Sequence, residues 1–64
     1  MISSELQLLI ANGERRLRRL QRALGRKEVG SNRYLRNLMD IERLVHLQEG
    51  RHRHLEQILR RSLN

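Results

Sequence analysis

Residues 25–32 read GRKEVGSN. Two glycines, a serine and an asparagine fall within these eight residues, and the apolar spacing on either side stops there. Glycine opens backbone conformations closed to other residues, while Ser and Asn side chains accept hydrogen bonds from free backbone N–H groups. A cluster of this kind between two periodic segments marks a connection. Because both flanking segments have helical spacing, the stretch reads as the turn of a helical hairpin.

Before the turn, Leu6, Ile10, Gly13, Leu17, Leu20 and Leu24 step by 4, 3, 4, 3 and 4. This is a heptad seam with one small residue in it. Ser4 followed by Gln7 has capping-box spacing, which predicts a helix start near Ser4. Gly25 stands just past Leu24, where a helix-terminating glycine belongs. After the turn, Tyr34, Leu38, Ile41, Val45, Gln48, His52, Leu55 and Leu59 again alternate 4 and 3. Ser31 or Asn32 is placed to cap this second helix. Gly50 costs ~1 kcal/mol against Ala inside a helix. No Pro, Asn or Asp accompanies it, however, and the spacing resumes in phase at Leu55, so one long helix with room for a bend at Gly50 is expected. The fold class expected is all-α: a single antiparallel helical-hairpin domain over 1–64, with a helix over about 4–24, a turn at 25–31 and a longer helix over about 31–63.

The chain has 64 residues and no cysteine. A domain this small buries a low fraction of its surface, and disulfides are not there to compensate. The apolar set is mostly aliphatic, with thirteen leucines and Tyr34 as the one aromatic. Such a composition suits helices packed on helices. At 1.5 Å per residue the two helices would be about 31 and about 50 Å long, so the start of the first reaches only to about Gly50 of the second. Residues 51–64 would then project with Leu55, Ile58, Leu59 and Leu63 uncovered. Leu9, Leu44 and Ile58 also widen the apolar stripe beyond a two-helix seam. These six leucine and isoleucine positions (Leu9, Leu44, Leu55, Ile58, Leu59 and Leu63) are the candidate dimer interface of a four-helix bundle made by two hairpins.

The charge is segregated. Net charge is +7, and residues 14–27 alone carry +6. With Leu17 at heptad position a, Arg15 and Arg22 fall at f, Arg18 at b, and Arg19 and Arg26 at c, all on the outer face; Arg16 flanks the seam. A surface that merely solubilises mixes both signs, whereas a one-sign face steers acidic partners. Nucleic acid is one such partner, since phosphate contacts need only Lys and Arg. But the basic region has no aromatics for base stacking, and the eight-residue connection does not fit a helix-turn-helix. An acidic protein surface suits the face as well, with Tyr34 beside Arg26, Lys27 and Arg33 as a candidate anchor. Tyr34 equally fits a role closing the core beside the turn.

Other chemistry is not indicated. His52 and His54 point roughly 200° apart on a helix, so they do not share a metal. Glu42, Glu49 and Glu56 recur every seven residues beside the seam and are expected to be interhelical charge partners. Gln48 and His52 within the seam are expected to set register. No nucleophile–base arrangement or phosphate-cradling glycine loop occurs, so no enzyme, metal or cofactor is expected. The N-terminal MISSELQLLIANGE has no basic leader and no long apolar core, so it does not read as a signal peptide. The longest apolar run, Leu8–Ala11, is far short of a membrane span. The location expected is cytoplasmic.

A short basic hairpin with ERRLRRL (14–20) in its first helix, a Gly/Ser turn, and Tyr34 early in a longer second helix resembles the phage-encoded anti-quorum-sensing hairpin proteins. Those proteins dimerise and disable host proteins, including a quorum-sensing transcription activator and a pilus-assembly ATPase. The likeness covers most of the chain and is one of outline. It implies a dimeric, non-enzymatic inhibitor and, by location, contact positions at Glu14, Arg22 and Tyr34. The small co-chaperones of type III secretion needle proteins are also similar in size and shape, but their alanine-rich second helix is absent here. The function expected is therefore a dimeric protein-interaction module that inhibits or modulates a larger partner, contacting it through Glu14, Arg15, Arg18, Arg19, Arg22, Arg26 and Tyr34. An RNA- or DNA-associated hairpin dimer is the alternative, and a secretion co-chaperone a further one.

Overall fold

The structure, a computed structural model, describes residues 2–63. Two helices make up the fold: α1, Ile2–Gly25, and α2, Asn32–Leu63. They lie antiparallel as a hairpin of 50 × 15 × 12 Å. The long dimension is that of α2, whose 32 residues span about 48 Å at the α-helical rise. α2 is continuous through Gly50. Helical spacing keeps its apolar residues in phase on both sides of that glycine, and packing outweighs the propensity cost.

The turn is built differently from its sequence reading. Gly25 is the last residue of α1 and does not take the left-handed conformation. α1 ends instead by tightening: the Arg26 N–H donates to Ala23 O (3.2 Å) and the Lys27 N–H to Leu24 O (3.1 Å). These i→i−3 bonds satisfy carbonyls that the α-helical pattern leaves open at a C-terminus. The left-handed residue is Gly30, at φ 84°. Together with the Ser31 N–H donating to Glu28 O at 3.1 Å, it makes a type II turn over 28–31, in which the third residue needs positive φ. Ser31 is the N-cap of α2. Its Oγ accepts from the Tyr34 N–H at 3.2 Å, and its carbonyl accepts the first helical bond from Leu35 at 2.9 Å. At the other end α1 starts at Ile2, before the Ser4 expected to begin it. Serine costs only a few tenths of a kcal/mol inside a helix, so the backbone continues through it.

The contact between the helices rests on few residues. Leu6, Ile10 and Leu44 are the buried hydrophobics, and no side chain among the described residues is fully enclosed. Two polar side chains are buried more deeply than these: Asn37 (5% exposed) and Gln48 (4%). The Asn37 amide donates to Leu20 O at 2.9 Å and the Gln48 amide to Ile10 O at 2.8 Å. A helix carbonyl has a second lone pair, so it accepts such a bond without giving up its own helical one.

These two rungs correct the expected seam. Leu38, assigned to it, is 42% exposed, and its neighbour Asn37 is inside. The stripe of α2 that faces α1 runs Tyr34, Asn37, Ile41, Leu44, Gln48, Arg51, Leu55 and Ile58, all buried or half-buried. His52 lies on the flank, with its side chain 55% exposed. Asn37 and Gln48 are eleven residues apart, just over three whole turns, so both amides point at α1. The rungs also fix the register. Leu20 is opposite Asn37 and Ile10 opposite Gln48, which sets the first turn of α1 beside about residues 52–56 of α2. The overhang is therefore shorter than the expected 51–64. Leu55 and Ile58 are half-buried, and it is Leu59 and Leu63, 49% and 86% exposed, that extend past α1.

Candidate interaction surfaces

The outer face of α1 carries the arginines as its heptad positions require. Arg15, Arg18, Arg19, Arg22 and Arg26 are all exposed. Arg15, Arg18, Arg19 and Arg22 surround a shallow depression together with Asn12. Among the described residues none of these arginines takes part in an ion pair; the pair present is Arg60–Glu56, and the other close carboxylate contacts are with histidine rings, His46–Glu49 and His52–Glu14. The charge of the face is thus uncompensated by the protein itself, which is the condition for a strong external potential.

Glu14 sits apart from this face. It is half-buried, on the flank of the seam, where its Oε1 lies 3.5 Å from Gln48 Nε2 and 3.5 Å from His52 Nε2. On the other flank, the Arg51 guanidinium donates to Gln48 Oε1 at 2.8 Å and approaches Leu9 O at 3.5 Å. Gln48 is thus the centre of a polar cluster, with Arg51 and His52 diverging by one helical step on either side of it. No buried side-chain nitrogen or oxygen among the described residues lacks a partner.

Gly13 explains why this cluster fits. A Cβ at Gly13 would come within 2.6 Å of Gln48 Nε2, and nearer still to its Oε1 and Cδ. The bare backbone of α1 leaves the hole that the Gln48 amide fills. The heptad reading put a small residue in one seam and a polar one in the other; that the two meet, and that each requires the other, is visible only when the helices are placed together.

Tyr34 is half-buried in the first turn of α2. Arg26, Lys27 and Arg33 gather with Glu28 and Ser31 at the hairpin tip, so the tip is basic as well. Glu49 and Glu56 pair within α2, with His46 and Arg60 respectively, and not across to α1 as expected. Side chains three or four apart on one helix are always in reach, whereas α1 lies on another face.

The candidate dimer residues divide. Leu44 is 8% exposed inside the hairpin, so little of it is left for a second copy. Leu55 and Ile58 are half-buried. Leu9, Leu59 and Leu63 are open, as are Leu35, Leu38, Met39 and Leu47, which the earlier set omitted. Leu38, Val45, His52 and Leu59 follow one another at intervals of seven on the His52 flank of α2, with Leu38, His52 and Leu59 exposed and Val45 half-buried. Leu9 and Leu47 lie on the opposite flank, where they line one groove with Arg16, Leu44 and Arg51.

No group of three or more His, Asp or Glu side chains among the described residues is placed to hold a metal ion. Among the described residues no helix is long and apolar enough to cross a membrane. Compared with known proteins, the chain matches no family model, no curated protein and no solved structure.

Proposed function

We propose that this chain is a non-enzymatic interaction module that pairs with a second copy and binds a larger, acidic-surfaced protein in the cytoplasm, modulating or inhibiting it. The observation that carries the reading is the outer face of α1, where Arg15, Arg18, Arg19 and Arg22 stand exposed together with no acidic partner among the described residues. The leucines of α1 serve the seam, so this charge is free to act without disturbing the fold. The basic tip at Arg26 and Arg33 extends the same surface, and half-buried Tyr34 borders it.

Pairing with a second copy is supported by surface area. The chain exposes 5521 Å², whereas a compact monomer of 7.7 kDa exposes about 4,300 Å². A two-helix layer has no interior beyond its single seam, and an excess of this size is comparable to one partner's share of a specific interface, about 800 Å². The flank that carries Leu38, Val45 and Leu59 suits self-pairing because it carries charges of both signs: Glu42, Glu49 and Glu56 beside Arg53 and Arg60. The outline shared with the phage-encoded hairpins agrees with an inhibitory role.

The test is capture of partners from cells of the native host, with and without nuclease, using the wild type beside an Arg15/Arg18/Arg19/Arg22→Glu variant. Nuclease-resistant capture of one discrete protein, lost in the variant, supports the reading. Capture that nuclease abolishes, or that the variant retains, overturns it. Salt gives an independent check, because binding through phosphate contacts to five or more arginines weakens by orders of magnitude, roughly 10³-fold or more, between low and physiological salt.

A further inference from the structure

We propose that the groove between α1 and α2 on the Arg51 flank is a docking site for an acidic amphipathic helix of the partner protein. This rests on the reading of the chain as a protein-binding module, and assigns to it a second surface distinct from the outer arginine face. The floor of the groove is Leu9, Leu44 and Leu47; its rim is Arg16, Arg43 and Arg51. The two hollows along it share Arg16, Leu44 and Leu47, so they form one continuous channel.

Leu9 and Leu47 are 49% and 51% exposed, so apolar area is there to be covered. Leu44, already buried against α1, only closes the bottom of the groove, while Leu47, three residues further along α2, offers exposed apolar surface to a docked helix. The stretch of α2 from Asp40 to Arg51 that borders the groove is about 16 Å long, which is three turns of a docked helix. An amphipathic helix laid in such a groove presents its apolar residues to the floor and its flanking residues to the rim.

Charge decides the occupant. Among the described residues, Arg16, Arg43 and Arg51 take part in no ion pair, and Asp40 is the one acidic residue lining the groove. A second copy related by a two-fold axis would set this basic rim against itself, since such an interface joins identical patches. The opposite flank, which carries both signs, has no such conflict. Nucleic acid would satisfy the rim but leave the leucine floor without a counterpart. A helix with Glu or Asp on both sides of an apolar stripe satisfies both.

The probe is a fluorescein-labelled peptide of about four turns with leucines at 3,4 spacing and glutamates on both flanks, beside a scrambled peptide of the same composition. Anisotropy titration is expected to give saturable binding of one peptide per hairpin. The scrambled peptide should bind about tenfold more weakly, Arg16→Ala/Arg43→Ala and Leu47→Asn should each weaken binding about tenfold, more than Arg15→Ala/Arg22→Ala on the outer face does, and Arg61→Ala, exposed outside both surfaces, should weaken it less than about threefold. Equal binding of the two peptides overturns the proposal. Loss caused by the outer-face pair and not by the groove pair also overturns it, while leaving the acidic-partner reading intact. Sedimentation of Leu47→Asn provides the remaining outcome: conversion of a dimer to a monomer by this change alone would assign the groove to a second copy. Circular dichroism monitors folding, and if Leu47→Asn loses helix the exposed arginine pair decides the outcome.

Discussion

The Gln48 amide occupies the hollow that the missing side chain of Gly13 leaves in α1, and from there it donates to Ile10 O at 2.8 Å. A methyl group at position 13 would displace it. The end of a glutamine side chain moves easily in open water, but this one is 4% exposed and anchored. Displacing it therefore costs a buried hydrogen bond.

Gly13→Ala consequently carries two opposing effects. Alanine favours the helix by ~1 kcal/mol, while an unpaired buried amide costs about 1–3 kcal/mol. The variant is expected to be less stable than wild type by about 1 kcal/mol in thermal or urea unfolding. In a Gln48→Ala background the same change should raise stability by about 1 kcal/mol, because only the propensity gain remains. The reversal of sign is the readout; two changes in the same direction would show that Gly13 and Gln48 are not coupled.

The remaining glycines are expected to separate by backbone conformation. Nothing lies within 4 Å of a Cβ built on Gly25, Gly30 or Gly50, so space does not distinguish them. Gly30, at φ 84°, should lose about 1 kcal/mol on replacement by Ala, since an L side chain is strained there. Gly50→Ala, inside α2, should gain up to ~1 kcal/mol. Ser31→Ala should cost about 1 kcal/mol through loss of the N-cap bond to Tyr34. Melting temperatures of the three variants at one protein concentration check the order.

Asn37 and Gln48 are expected to contribute more to specificity than to stability. Replacing both with leucine removes the donors without stranding an acceptor, because Leu20 O and Ile10 O keep their helical bonds. The double variant should melt no lower than wild type. It should also lose the single register, since leucines slide along a seam in a way that an amide bonded to one carbonyl does not. Amide NMR spectra test this: one sharp set of resonances from the double variant would show that the rungs do not select the register.

Sedimentation equilibrium checks the pairing of hairpins. The wild type is expected to be a dimer at micromolar concentration. Leu59→Asp, at a position already 49% exposed in one hairpin, should shift it toward monomer without first disrupting the seam. Leu55→Asp strikes a half-buried position and should reduce helix content as well. A wild type that sediments as a stable, well-folded monomer would remove the dimer from the proposed function.

Much of the hairpin is legible in residue order. Spacing of 3 and 4 gives two helices, GRKEVGSN separates them, and the heptad phase of Leu17 turns five arginines outward. Spacing does not choose between Asn37 and Leu38, or between Leu44 and Val45, because each pair fits a heptad equally well. Hydropathy favours Leu38; the structure takes Asn37, because an amide that reaches a carbonyl of α1 fixes both the approach and the register. The groove is not legible in residue order for a related reason. Spacing places Arg16 beside the seam, but Arg43, Leu47 and Arg51 join it only once the register is set.

The sequence by itself determined two helices, their connection and the outward charge of α1, because each follows from periodicity and turn chemistry within one segment. The tertiary structure decided which glycine turns the chain, which polar residues are buried, how far α2 extends past α1, and which side chains share a groove. Those outcomes depend on where the backbone of one helix lies against the side chains of the other, and no local pattern encodes that distance.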